Sequence, residues 1–360
     1  MSDMKDMIVD VVERMLKENV DKDLVDTVEQ GKWAPKVWHL FKENGMNVVA
    51  ISEEHGGAGG DLEDLLNIVR LTGKYAAPIP FTETTLANYL LAYTNLQVVS
   101  DLATHMLSTD QAYTLENAKL TGEAIHIHWA RHTKHLVTLA ISAEGTHLVE
   151  IDLSHAEITQ STNLANEPRD TVKFHNAAVS QVSAVLSLDE IRAITILETA
   201  FQLARMTGAI EKINDLTVQY TKEREQFGRP IHRFQLVQQH IVNLAGETTV
   251  ALAAFNNVTD ALLTHSHNSE VAYARIRFEE VIQAVSTISH QVHAAIGTTH
   301  EHSLHQYTRR LWSWRDEGTK ISYWTDFVST QLLENSGDSL WAYLTETKIP
   351  MTIEGVIFNG

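Results

Sequence analysis

Two arginines flank a glycine bend in Arg224-Glu225-Gln226-Phe227-Gly228-Arg229-Pro230, between two long helical patterns. Guanidinium forks presented from such a bend suit a pyrophosphate, with Phe227 shielding them. The plain alternative is a solvated loop whose arginines cap a helix C-terminus, and composition alone favours it. Glu198 falls four residues after Ile194 and three before Phe201, which puts it on or beside the apolar stripe of a helix. A carboxylate there has the environment a general base needs, or else it lies at the stripe edge and reaches solvent or Arg205. In Trp312-Ser313-Trp314-Arg315-Asp316-Glu317-Gly318-Thr319 the carboxylates end a helix, so Glu317 is a second candidate base. Equally, Arg309, Arg310 and Arg315 could tie Asp316 and Glu317 into a structural ion-pair network. Histidine is abundant at 19 copies, with clusters at His126, His128, His132 and His135 and at His300, His302 and His305. His300 and His305 are five apart and off a common helical face, and no ligand set has recognisable spacing, so no functional metal site is expected.

The elements that must carry these residues fall into three zones. Up to about residue 116 the apolar residues recur at helical spacing, as in Met7, Val11, Val12 and Met15 and in Leu62, Leu65, Leu66 and Val69. The glycines of Ser52–Asp61 read as a tight turn between helices, lacking the Lys-Ser/Thr of a P-loop. From Leu120 to about Val185 the period becomes two, with His135–Ile141 and His147–Leu153 forming a hairpin pattern and Thr171–Phe174 a further strand. Long amphipathic helices return over Leu188–Lys222, Phe234–Thr264 and Ser269–Ile296. The fold class is therefore α+β and mainly helical. The expected domains are an N-terminal helical domain over 1–116, a small antiparallel β middle domain over 117–187, a C-terminal four-helix bundle over 188–335 and a tail over 336–360.

Composition narrows the function. The chain has 360 residues, 44% hydrophobic and 21% charged, which are ordinary globular values. It contains no cysteine, which removes thiolate metal sites and a cysteine nucleophile and fits a reducing compartment. A formal charge of −18 disfavours nucleic-acid and anionic membrane partners. The N-terminal stretch alternates charge with apolar residues, unlike a signal peptide, and nowhere do enough apolar residues run together for a transmembrane helix. A cytoplasmic location is expected.

Taken together the motifs resemble the acyl-CoA dehydrogenase family. The most specific stretch runs from Arg224 to Ile231 and on through Phe234, Gln235 and Gln238, similar to the family's R-x-x-F-G-x-P-I-x-x-F-Q signature. Gln291-Val292-His293-Ala294-Ala295-Ile296-Gly297 resembles its Q-x-x-G-G-x-G stretch, continuing through Glu301 and Leu304 to Arg309. Gly45, Glu54 and Gly56-Gly57-Ala58-Gly59 resemble its N-terminal P-E-x-x-G-G-x-G segment. The resemblance implies FAD as cofactor. Arg224 and Gln226 would meet its pyrophosphate from a neighbouring subunit, Phe227 would pack on it, and Gln235 would support the turn. Gln291 and the backbone near Ala295 would hold the adenosine end, and Thr319 would also touch FAD.

The implied reaction is oxidation of the Cα–Cβ bond of an acyl-CoA thioester, with a glutamate removing the α-proton and flavin N5 taking the hydride. Electrons would leave to an electron-transferring flavoprotein or to oxygen. The family keeps its base in one of two places, and both are filled here. Glu317-Gly318-Thr319 matches the end of the common Y-E-G-T segment after one deletion. Glu198 stands 26 positions before the signature arginine, as in isovaleryl-type members. Glu317 ranks first. No T-E-P-x-x-G-S-D stretch is found, Trp129 is a plausible remnant of a flavin-side tryptophan, and Ala294 and Ala295 replace two glycines. Such a short subunit resembles partner chains of family heterotetramers acting on steroid side chains, beside the expectation of a homodimer or homotetramer. The alternatives are a catalytically incomplete subunit and a flavin-free binding protein of the same fold.

Overall fold

The computed structural model describes residues 2–264 and 269–335, so the tail expected over 336–360 lies outside the described residues. Helices α1 (Ser2–Asn19), α2 (Lys22–Glu29), α3 (Pro35–Glu43), α4 (Leu62–Lys74) and α5 (Phe81–Tyr93) come first. Their ends follow local chemistry. The Asp21 carboxylate accepts from the Leu24 amide at 2.8 Å to cap α2, and Pro35 opens α3 where no amide donor is needed. The glycine stretch before α4 is the tight turn expected, with the Ala58, Gly59 and Gly60 amides donating to the Val48, Ile51 and Val49 carbonyls.

The strands are β1 (Ala103–Met106), β2 (Tyr113–Glu116), β3 (Lys119–His128), β4 (His135–Ile141), β5 (Thr146–Asp152), β6 (Glu157–Thr159), β7 (Arg169–Ala178) and β8 (Gln181–Val182). They form one sheet in the order β6-β7-β3-β2-β4-β5-β8, with β1 also paired to β4. The β4–β5 hairpin runs in register from His135 opposite Asp152 to Ile141 opposite Thr146, as the alternating pattern indicates. β1 and β2 instead pair with β4 in parallel, and both lie before residue 117, in the zone that reads as helical. At four residues each they are too short for an alternation to register.

Next come α6 (Leu188–Glu223), the short strands β9 (Glu225–Gln226) and β10 (Arg229–Pro230), α7 (Gln235–Leu263), α8 (Ser269–His293), α9 (Leu304–Asp316) and α10 (Ile321–Asn335). No described helix is long and apolar enough to cross a membrane.

The described residues fall into two compact units, one of residues up to Val69 with Ala77–Phe201 and one of Arg70–Ala76 with the residues from Gln202 onward. In the first, α5 is buried on nearly every side, including Phe81, Glu83, Thr84, Asn88 and Leu91. Its polar side chains are matched to backbone. Asn88 pairs with both the amide and carbonyl of Val99, at 2.9 and 3.0 Å, and the Thr84 hydroxyl donates to the Ala103 carbonyl at 2.9 Å, fixing the entry to β1. The inner face of the sheet buries Tyr113, Leu120, Leu136, Val149, Val172 and Phe174.

In the second unit α6, α7, α8 and α9 bury apolar faces that include Ile210, Phe255, Phe278 and Leu311. The last turn of α4 crosses α6 with backbones in contact. A methyl on Gly73 would lie 2.0 Å from the Arg205 carbonyl oxygen, and one on Gly208 1.8 Å from that of Arg70. Only glycine allows this approach. The Arg70–Glu211 ion pair, at 2.6 Å, closes the crossing.

Candidate active site

Glu317 terminates α9, in the second unit, where the unpaired carbonyls of a helix end disfavour negative charge. A guanidinium offsets this. Arg205 on α6, buried to 5% exposure, reaches the Glu317 carboxylate at 3.4 Å and lies 4.6 Å over the ring of Trp314. The next residue, Gly318, takes φ +71°, and a methyl there would meet the Gln202 amide nitrogen at 2.0 Å. Thr319 follows, half-buried. The network that reads as available to the α9 arginines forms in part. Arg315 takes Asp316 at 3.0 Å and Glu279 at 3.7 Å, while Arg309 and Arg310 donate to the α9 carbonyls of His305 and Gln306.

Glu198 belongs to the first unit, and its half-buried carboxylate lies 3.9 Å from Nδ1 of His105 on β1. The His105 ring stands 6.3 Å from that of His128 at the end of β3, measured between centroids. His128 Nδ1 in turn contacts the Glu83 carboxylate of α5 at 3.1 Å. The Thr104 hydroxyl donates to the His128 carbonyl at 2.5 Å, which pins β1 beside the end of β3.

The arginine turn is a two-residue hairpin. Arg229 pairs with Gln226 and Pro230 with Glu225 across a bend in which Phe227 and Gly228 take φ +52° and +74°. Phe227 is 93% exposed, and Arg229 instead covers the ring of Phe234 at 4.3 Å. The exposed side chains of Arg224 and Gln226 make no hydrogen bond or ion pair among the described residues, and Gln235 is exposed at the start of α7. Gln291 in the last turn of α8 and Ala295 in the following 3-10 turn are exposed too. Ala294 holds φ +54°, so the chain keeps a glycine-like backbone there despite its methyl group.

The first histidine cluster dissolves into separate roles. His128 serves Glu83, His135 contacts Glu150 at 2.7 Å, and His132 stacks on Trp33. Trp129 is buried, edge-on to Trp33 with ring centroids 6.1 Å apart. His300 and His305 do meet, with centroids 4.9 Å apart, because His300 lies in the turn before α9 and not on its face. Sequence reasoning missed His105, Glu83 and the use of Arg205. His105 sits in a strand too short to recognise, and nothing local links residues 83, 128 and 198.

The family model described as the acyl-CoA dehydrogenase C-terminal domain matches residues 196–314, and that of the N-terminal domain matches residues 2–106. The chain belongs to the acyl-CoA dehydrogenase family. As such it is an oxidoreductase acting on acyl-CoA, in a family of FAD-dependent enzymes. It is 27% identical over 315 residues to the acyl-CoA dehydrogenase IpdE2 of Mycolicibacterium smegmatis, covering 86% of this chain and 93% of that protein. Among solved structures, the Tcur3481-Tcur3483 steroid ACAD variant superposes with a TM-score of 0.83 at 18% identity, covering 93% of this chain and 99% of that one. The ChsE4-ChsE5 complex of Mycobacterium tuberculosis gives 0.80 at 18% identity, covering 92% and 97%. These acyl-CoA dehydrogenase likenesses share the fold described above.

Proposed function

We propose that the chain, with FAD, oxidises the Cα–Cβ bond of an acyl-CoA thioester, and that Glu198 is the base taking the α-proton. The observation that carries this reading is the His105 imidazole facing the Glu198 carboxylate at 3.9 Å. A base must accept a proton and release it in every turnover. Protonating Glu317 would remove a charge partner from the buried Arg205, which is costly, whereas an imidazole beside Glu198 can accept a proton in its turn.

The residues suit the cofactor. Arg224 and Gln226 present unengaged donors from a rigid hairpin and Phe227 an uncovered ring, as a pyrophosphate-bearing aromatic ligand requires. These three would hold FAD together with Gln235, Gln291, the backbone at Ala295 and Thr319. Bound FAD supplies the acceptor for the β-hydride, and electrons pass on to an electron-transferring flavoprotein or to oxygen. Phe227 and the exposed apolar residues of α7, Leu236 at 64% and Val242 at 69%, favour an assembly with a second subunit. The superposed Tcur3481-Tcur3483 and ChsE4-ChsE5 structures favour a related, non-identical one.

A second reading keeps Glu317 as the base, supported by its fixed position beside Gly318 and Thr319. Glu198→Gln and Glu317→Gln separate the two. With flavin content checked by absorbance, Glu198→Gln should slow anaerobic flavin bleaching by an acyl-CoA panel by about 10²- to 10⁴-fold and Glu317→Gln should not. The reverse result transfers the role to Glu317, and no effect from either removes both assignments.

A further inference from the structure

Building on the reading of Glu198 as the base, we propose that His105 and His128 form a proton relay from Glu198 to Glu83. The four side chains run acid, base, base, acid and come from four separate elements, α6, β1, β3 and α5. Their exposures are 14% for Glu198, 9% for His105, 14% for His128 and 4% for Glu83. Drawing four ionisable groups out of water is expensive, and two single ion pairs would not require the imidazoles to be neighbours. Yet the rings stand 6.3 Å apart, inclined at 42°, and the Thr104 hydroxyl bonded to the His128 carbonyl fixes the strands that carry them.

Imidazole is suited to this task because it accepts a proton on one nitrogen and releases it from the other. After the α-proton reaches the Glu198 carboxylate, that O–H bond breaks as an N–H bond forms on His105. His105 releases its other proton to His128, and His128 releases one to the Glu83 carboxylate. Glu198 returns to the anionic form, Glu83 becomes neutral, and no electrons move. His105 and His128 are positioning and relay groups that act through Glu198, leaving contact with the substrate to the glutamate.

The test is a histidine NMR titration of the FAD-loaded, ¹³C/¹⁵N-histidine-labelled protein in its native assembly, assigned with His105→Asn and His128→Asn. In the unaltered protein the two rings should share their protonation steps, as coupled neighbouring groups do. Glu83→Gln should move the midpoint of His105, two groups away, by about half a pH unit, and Glu198→Gln should do the same to His128. Variants that each move only the adjacent ring overturn the relay. A kinetic reading complements it. His128→Gln should lower kcat roughly tenfold with KM and flavin content unchanged, and the loss should be partly restored by added imidazole. An unchanged kcat overturns the relay. Full activity in Glu198→Gln sinks instead the reading of Glu198 as base, which the NMR coupling does not depend on.

Discussion

At the residue scale, Arg224 and Glu317 show what a charged side chain does when it is left open and when it is enclosed. Glu317 is paired with Arg205, which lies over Trp314, and the next residue, Gly318, abuts Gln202, an arrangement that fixes the end of α9. Arg224 has its backbone held on both sides, its amide donating to Tyr220 and its carbonyl accepting from Ile231, each at 2.8 Å, while its guanidinium stays open. A guanidinium so presented matches phosphate oxygens in a way an ammonium does not. Arg224→Ala should therefore weaken FAD retention by about 10- to 100-fold, and Arg224→Lys should recover only part of it. Flavin absorbance remaining after desalting measures both. The arginine turn was legible because its residues are contiguous and its glycine and proline mark a bend. The pairing of Glu198 with His105 was not, because it is a tertiary contact across 93 residues of chain and neither residue carries a local mark.

At the element scale, long helices declare themselves and short strands do not. α6, α7 and α8 have enough turns for their apolar stripes to emerge, and α6 and α8 end within a few residues of Gly228 and Gly297. The β4–β5 hairpin was equally readable from its alternation. β1 and β2 escaped notice, and β1 is the strand that delivers His105. The crossing of α4 and α6 was also hidden, since a mid-helix glycine looks the same in sequence whether it faces water or a second backbone. Two substitutions expose the difference. Gly208→Ala puts a methyl 1.8 Å from a carbonyl oxygen and should destabilise by about 3 kcal/mol or more. Gly246→Ala, at an exposed position of α7 with nothing within 4 Å, should stabilise by about 1 kcal/mol through helix propensity. Thermal melts of the two variants should move in opposite directions.

At the scale of the whole molecule, the abundance of histidine sets the response to acid. Burial pushes the His293 imidazole down to about 4, despite a favourable hydrogen bond to the Ser289 carbonyl, and burial also lowers His290 and His302. In the unfolded chain these groups take up protons near pH 6.5. The folded state resists, so their contribution to stability is complete above pH 6.5 and is lost as pH falls below it, for His293 down to about 4. For His293 alone the slope in that window is about 1.4 kcal/mol per pH unit. Denaturant unfolding at pH 7 and pH 5 should show the loss, and His293→Phe, keeping a ring stacked on Tyr220, should flatten it. The absence of cysteine, meanwhile, joins with the projecting hairpin to give the molecule a single natural address for a reporter. A thiol introduced as Glu225→Cys on that exposed ribbon would be the sole one in the chain. An environment-sensitive fluorophore attached there would brighten or quench as flavin or a companion subunit covers Phe227, turning assembly into an optical signal that can be followed in real time.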